Sequence, residues 1–357
     1  MTSPAGAPGP EVRTRGSRFW ASIDERLGLD AFRYKVPGYA NTLPYTLGGI
    51  TFFGFIVLVL TGVYLGQFYH PHPAIANDSV RAIILEVPLG AFVRSVHFWT
   101  AQAVLVSVAL HVTRVFMTAA YKKPREFNWF IGIALLATAI GLFFTGTVLK
   151  WDQEAFEALE HNVEIGALLG AFGSFFSPSF AAQVPLLTRL YSVHVSLLPL
   201  IFGALLVAHV FYVRHFGISP RAVPEKDTKE ETYEPFTGHM KKIVVYGVVL
   251  FGIVGVLALA FPAPLGPQPI EGIEVTKPPW PFLWLFPFEN LWGVQAILPI
   301  SILPFLLLLA VPIVDRTPER DPRKRKIMMI GFLLGLALFV ALTIAGALIP
   351  TVVHVGG

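Results

Sequence analysis

Seven apolar stretches alternate with polar links along the chain, at residues 45–68, 91–118, 129–149, 187–213, 242–261, 293–314 and 327–349. Each is long enough to cross a bilayer, which takes about 20 helical residues. The links carry the charge. Arg13, Arg15, Arg18, Arg26, Arg33 and Lys35 precede the first stretch, and Lys122, Lys123 and Arg125 separate the second from the third. Arg214, Arg221, Lys226, Lys229, Lys241 and Lys242 surround the link from the fourth to the fifth. Arg316, Arg320, Arg323, Lys324, Arg325 and Lys326 join the sixth to the seventh. With seven spans these four segments share one side, which the positive-inside rule makes cytoplasmic. The N-terminus is then inside and the C-terminus outside; one span more or fewer would break the alternation. The pattern predicts an all-α integral membrane protein. The sixth stretch holds Pro299, Pro304 and Pro312 and is expected to kink.

Composition supports this. Of 357 residues 54% are hydrophobic and 14% charged, and mean hydropathy is +0.62, against about 25% charged in soluble domains. The net charge of +4 does not point to nucleic acid, because the basic residues sit between apolar spans. The chain has no cysteine, which excludes disulfides, Cys-ligated iron–sulfur clusters and thioether-linked haem. The first forty-odd residues are polar, and no signal peptide is expected there. The polar run at 219–242 divides the chain. A cytoplasmic segment (1–44) leads into a histidine-bearing four-helix domain (45–218). The cytoplasmic linker (219–242) then joins a three-helix domain (243–357) whose spans lack histidine.

The second and fourth stretches each carry a histidine pair: His97 with His111, and His194 with His209. A helix rises about 1.5 Å and turns about 100° per residue, so each pair spans roughly 21 Å along its axis. The fourteen-residue step falls about 40° short of four turns and the fifteen-residue step passes them by about 60°. Both stretches run outside to inside. His97 is therefore level with His194 near the outer surface, and His111 with His209 near the inner one. Two stacked bis-histidine sites follow. Taken singly, an intramembrane histidine is as readily a packing residue or part of a proton path. Two histidines without Cys, Asp or Glu make a poor zinc site. A haem iron with two axial imidazoles needs only this geometry and is suited to electron transfer.

Two further features fit haem. Gly48 and Gly62 in the first stretch, and Gly132 and Gly146 in the third, repeat the fourteen-residue interval. Glycine lets a flat macrocycle approach, although helix-packing glycines are also common in membranes. Arg94, Arg114 and Arg189 stand three to five residues from histidines, toward the membrane faces, where haem propionates need cations and where snorkelling anchors also lie.

The segments "LGGIT…TG", "RSVHFW…LHVTRV", "YKKPREFNW", "TGTVLKWDQ" and "TRLYSVHVSLLP…HVFYVRHFGISP" resemble the cytochrome b family of quinol-oxidising complexes. The likeness covers about residues 20–220 and is closer to cytochrome b6, whose branch has the fifteen-residue step. The remainder resembles subunit IV of the b6f complex, fused on. The resemblance implies two non-covalent b-type haems, the outer on His97 and His194 and the inner on His111 and His209. It implies quinol oxidation at the outer face, with one electron passing to a Rieske iron–sulfur protein and a c-type cytochrome. The other crosses through the haems to a quinone near the cytoplasm. A homodimeric complex in the bacterial cytoplasmic membrane is implied as well.

The chain departs from the family pattern in places. "KPPWPFLWLFPFENLWG" (277–293) stands where subunit IV carries Pro-Glu-Trp-Tyr, and the motif's Glu is absent from Pro278, Pro279, Trp280 and Pro281. In the family that Glu takes a quinol proton. Asp152, Glu154, Glu157 and Glu274 are candidate replacements, with Trp280 at the same quinol site. Leu-Pro-Trp becomes Leu149, Lys150 and Trp151. Thr46 replaces the Cys that tethers an extra inner haem, so a covalent third haem is excluded and a non-covalent one stays open. Arg214, His215 and Asp30 are candidates for the inner quinone site, or interfacial polar residues. His70, His72, His161, His239 and His354 read as surface residues, His161 with a minor claim to the quinol side. Two other functions fit the same histidines: a di-haem anchor for a different peripheral oxidoreductase, and a transporter whose histidines relay protons.

Overall fold

The computed structural model describes Phe19 and residues 22–26, 34–223 and 232–351. Asp30, Arg13, Arg15, Arg18, Arg33, Lys226, Lys229 and His354 lie outside the described residues. The helices are α1 (Leu43–Gly66), α2 (Ala76–Leu85), α3 (Gly90–Met117), α4 (Glu126–Leu149) and α5 (Gln153–Leu168). Then follow α6 (Leu186–Phe216), α7 (Phe236–Ala260), α8 (Phe286–Trp292), α9 (Ile297–Val314) and α10 (Lys326–Leu348). Among the described residues, 7 helices are long and apolar enough to span a membrane. They are α1, α3, α4, α6, α7, α9 and α10, and the expected all-α architecture is the one that forms. The fifth span starts at Phe236, six residues before the apolar stretch. Hydropathy marks only the lipid-facing length, whereas the helix extends into water until Pro235, which lacks the N–H to continue it.

The spans pack in a definite order. α1 lies along α3, α4 along α6, α7 against both α1 and α3, and α9 against α4. The N-terminal segment is pinned by a two-stranded antiparallel sheet, β1 (Lys35–Pro37) on β2 (Tyr233–Pro235), with Val36 opposite Glu234. On the outer side the amphipathic α2 turns directly into α3. Leu89 is left-handed there (φ 56°), and a Cβ on Gly90 would lie 1.9 Å from the Ile83 carbonyl oxygen. Only glycine permits that corner.

Two apolar clusters close the ends of the bundle. The outer one joins Ala76, Val148, Trp151, Leu159 and Leu187. The inner one joins Phe116, Tyr121, Trp129, Ile133 and Val311. Beside the inner cluster a buried ionic junction links the α3–α4 turn to the last two spans. Asp315 pairs with Lys122 at 2.7 Å and with Arg325 at 2.8 Å, and accepts from the Tyr121 hydroxyl at 2.5 Å. Lys122 also donates to the backbone oxygens of Thr317 and Glu319. Burial alone would raise the Asp315 carboxyl; hydrogen bonds from Lys122 and Tyr121, with the charge of Arg325, reverse this and hold it below its usual value. The sign follows: the stability this group adds is present above the unfolded Asp pKa of about 3.9 and is lost as pH falls through the lower folded value. Proteolysis of the 315–325 link should therefore quicken only on acidification below about pH 4, which limited digestion with an acid-active protease measures.

Candidate functional site

His97 and His111 project from α3, and His194 and His209 from α6. Each ring meets a glycine of the adjoining helix. A Cβ would lie 3.3 Å from His97 Cε1 if added at Gly62, and 3.0 Å from His111 Cε1 at Gly48. On the other pair it would lie 3.0 Å from His194 Cε1 at Gly146 and 3.6 Å from His209 Cε1 at Gly132. The glycine interval of α1 and α4 thus matches the histidine interval because each glycine clears one imidazole. Substitution to alanine should disturb the rings at Gly48 and Gly146, where the contact is tightest, and spare that at Gly132, where it is ordinary van der Waals packing. The haem content of purified Gly146→Ala and Gly132→Ala variants tests this ordering.

The fifteen-residue step of α6 has a structural counterpart. Residues Val193–Leu197 form a π turn, which takes in an extra residue without advancing the helix by one α-helical position. The 100° by which fifteen residues exceed fourteen is absorbed there, next to His194 itself. Pro199, two residues further on, lacks the N–H that would hold a regular helix across that turn.

The outer histidines are oriented by threonines. Thr61 Oγ1 is 2.8 Å from His97 Nδ1 and gives its own proton to the Val57 carbonyl at 2.7 Å. Thr145 repeats this with His194 Nδ1 at 2.9 Å and the Gly141 carbonyl at 2.8 Å. Because each hydroxyl proton is spent on a carbonyl, Nδ1 must be the donor and Nε2 keeps its lone pair for a metal. Sequence reading missed both threonines, yet each stands directly before a singled-out glycine, Gly62 or Gly146, in a Thr-Gly pair. At the inner level His111 and His209 have ring centres 6.4 Å apart. Two imidazoles bound to one metal from opposite sides, with bonds of about 2 Å, would be spaced by about 6 Å. Their Nδ1 atoms are buried without a hydrogen bond. A donor set of four imidazoles in two facing pairs fits haem iron.

The sequence model of the cytochrome b/b6/petB family matches residues 33–217. The chain is a member of the cytochrome b family. It is 38% identical over 198 residues to cytochrome b6 of Heliobacterium modesticaldum, covering 54% of this chain and 93% of that one. It is 30% identical over 327 residues to the cytochrome bc complex cytochrome b subunit of Chlorobaculum thiosulfatiphilum, covering 85% of this chain and 74% of the relative. A solved structure titled "Hyperthermophilic respiratory Complex III" superposes with a TM-score of 0.77 at 26% identity, covering 93% of this chain and 92% of the other. Membership carries an electron-transfer role with b-type haem and quinone.

The arginines expected near propionates are placed as follows in this cytochrome b. Arg94 donates to the carbonyl oxygens of Ala263 and Pro264 at 2.7 and 2.6 Å. Arg189 donates to the carbonyls of Phe175 and Ser177. Arg114 stacks 3.7 Å over the Tyr45 ring, with its Nε buried and unbonded. At the inner end of α6, Arg214 lies 5.0 Å over the Tyr34 ring and His215 stacks on Phe211.

On the outer side the carboxylates expected to replace the motif Glu hold the loops. Asp152 caps α5 through Ala155 N, accepts from Gly266 N at 2.8 Å and pairs with Lys150 at 3.2 Å. Glu154 also pairs with Lys150. These groups line an open cleft of about 380 Å³ shared with Pro264, Thr276 and Lys277. Glu157 accepts from Val275 N at 3.0 Å and Thr276 N at 2.9 Å, clamping the segment that leads into the Pro278–Pro281 run. Within that segment Trp280 Nε1 donates to Gln102 Oε1 at 2.6 Å. Phe282 meets Phe143 and Phe144, the two residues directly before Thr145, which holds the outer His194. Trp151 is left-handed (φ 50°) and its carbonyl accepts from Asn77 at 3.0 Å. Two histidines read as surface residues are not at the surface. His239 is buried, with Nδ1 3.0 Å from Asn41 Oδ1. His161 faces Glu289 and Glu274. Burial alone would lower the His161 imidazole, but the facing Glu289 carboxylate outweighs it and raises the pKa to about 9. Neither contact shows in sequence, because the partners are distant along the chain.

Proposed function

We propose that this chain is the cytochrome b subunit of a quinol:cytochrome c reductase working with a Rieske protein and a c-type cytochrome. Residues 45–218 form its di-haem domain and 243–357 its subunit IV-like part, in a homodimeric complex of a bacterial cytoplasmic membrane. The observation that carries the reading is the pairing of each histidine with a facing glycine at two depths, with Thr61 and Thr145 fixing the outer imidazoles. Two bound haems would supply one-electron transfer across the insulating bilayer. His97 and His194 hold the outer group, His111 and His209 the inner one. Thr61 and Thr145 keep the outer ligands in the Nε2-binding tautomer, and Gly48, Gly62, Gly132 and Gly146 leave room beside the rings. Arg114, close under the inner pair, is placed to neutralise an inner propionate, and Arg94 and Arg189 serve the outer side. Quinol meets the protein between Trp280, Phe282 and the end of α4, and quinone near Arg214 and His215. A non-covalent third haem beside the inner one is compatible with Thr46.

The test is a dithionite-reduced minus oxidised spectrum, haem stoichiometry and subunit composition of the complex purified from its native membrane. Two b-type haems per chain and a co-purifying Rieske protein are expected. Pro279, in place of the motif carboxylate, favours a second reading: a di-haem anchor exchanging electrons between quinone and another peripheral enzyme. That reading predicts the same spectrum without a Rieske partner. A proton-relaying transporter predicts no haem band at all.

Thr145→Val removes the acceptor for His194 Nδ1–H while keeping the side-chain shape. Loss of such an outer partner costs about 10–100-fold in metal affinity. Haem retention of this variant during gel filtration, compared with Thr147→Val on the same helix, measures the effect.

A further inference from the structure

The run that stands in for the missing motif is poor in hydrogen-bond donors. Pro278, Pro279 and Pro281 have no backbone N–H. Phe282 N donates to the Pro279 carbonyl oxygen at 2.8 Å. The Trp280 indole N–H is given to Gln102 Oε1 at 2.6 Å. An indole N–H donates and cannot accept, so the atom facing it is the Gln102 carbonyl oxygen. The two N–H donors of Gln102 Nε2 are left over. Among the described residues they have no hydrogen-bond partner.

Gln102 is half-buried and deep in the span. It stands eight residues after Arg94 and twelve before Arg114 on α3, about 12 Å and 18 Å along the axis from cations that flank the hydrocarbon. A polar group left open at that depth is costly. Lipid ester carbonyls lie at the headgroup level, about 12 Å off, so the acceptor that reaches this amide is an oxygen carried by a molecule dissolved in the hydrocarbon. Gln102 is five residues past His97, about 140° around the helix, and therefore turns away from the space between the histidines. It turns instead to Trp280, which is 38% exposed. Trp280 is tied to α3, and Phe282 packs on Phe143 and Phe144 of α4. The two rings thus bridge from the amide on one helix to the flank of the outer histidine on the other.

We propose that Gln102 and Trp280 form the entry subsite for quinol, a deduction that rests on the quinol-oxidising reading above. Gln102 Nε2 donates to a ring oxygen of a quinol or quinone arriving from the lipid, and the flat ring lies against the Trp280 indole. Trp280 also acts as a positioning residue: by holding Oε1 it leaves only donors to face the ligand. The ring then passes along Phe282 toward α4 and the outer histidine.

The experiment mixes the intact purified complex with decylubiquinol or 2,3-dimethyl-1,4-naphthoquinol and follows reduction of its b haems by stopped flow against quinol concentration. In Gln102→Leu the half-saturating concentration is expected to rise about fivefold to tenfold, the loss of one hydrogen bond. The limiting rate should change far less, as for a contact made equally before and during reaction, at wild-type haem content. Val106→Leu, one turn further along α3 and 49% exposed, is expected to behave as wild type; an equal rise there marks a general disturbance of the helix face and overturns the subsite. So does an unmoved half-saturation in Gln102→Leu at a normal limiting rate, the outcome if a lipid occupies the amide. A complex whose haems neither quinol reduces overturns the quinol-oxidising reading itself, and the subsite falls with it. If Gln102→Leu fails to assemble, photolabelling of the wild type with an azidoquinone decides: label on α3 within residues 98–106 supports the subsite, and label found only elsewhere overturns it.

Discussion

Asp315→Ala is expected to destabilise the packing of the C-terminal spans on the first four by about 3–5 kcal/mol, the cost of removing one partner from a buried ion pair. Asp315 answers two cations, Lys122 and Arg325, whose side chains are only 6% and 2% exposed. The Tyr121 hydroxyl donates to it as well. Truncation leaves two positive charges away from water with only uncharged partners, backbone carbonyls and the Thr317 hydroxyl for Lys122 and backbone carbonyls and the Tyr121 hydroxyl for Arg325. Asp315→Asn is expected to recover part of the loss, since its one amide oxygen can accept from Lys122 or from Tyr121, which bond different oxygens of Asp315, but brings no charge. Denaturation of the detergent-solubilised protein, followed by tryptophan emission and by protease cutting at 315–325, measures both variants. Trp129 is a built-in reporter: it packs on Tyr121 and donates to the Leu308 carbonyl across the same junction. A stability within error of wild type for Asp315→Ala would show that the junction contributes nothing.

His209→Ala is expected to remove the inner haem and leave the outer one, taking away about half of the reducible b-type absorbance. His111 and His209 belong to different helices, α3 and α6, and meet only at the inner level. His97 and His194, with Thr61 and Thr145, sit about 21 Å higher along those helices, beside Gly62 and Gly146. No side chain is shared between the levels, so loss at one leaves the ligands of the other in place. His194→Ala is the reciprocal case and should spare the inner haem. Pyridine haemochrome content with low-temperature difference spectra resolves the two. Equal loss of both bands in His209→Ala, in protein that retains wild-type gel-filtration behaviour, would sink the two-level assignment.

Much of this was legible along the chain because hydropathy and helical periodicity are local properties. Continuous apolar length gave the seven spans. The alternation of basic links gave their direction, and the fourteen-residue intervals put histidines and glycines at matching depths. Cysteine count excluded covalent haem without reference to any fold. The chain's own order could not say that each glycine clears a particular imidazole, that Thr61 and Thr145 choose the tautomer, or that a π turn cancels the extra residue between His194 and His209. Those depend on which helices lie side by side. The same holds for the acidic residues: Asp152 and Glu157 look alike beside Glu274 and Glu289 in the sequence. Folding gives the first two backbone N–H groups to hold, and gathers the others around His161 from more than a hundred residues away. The number of membrane crossings and the spacing of the imidazoles along their helices follow from residue order alone, since burial in lipid is decided by each segment's own side chains. Which distant polar groups satisfy one another was settled by packing, because a hydrogen bond or ion pair needs two partners within about 3 Å and the junctions described above draw theirs from separate segments.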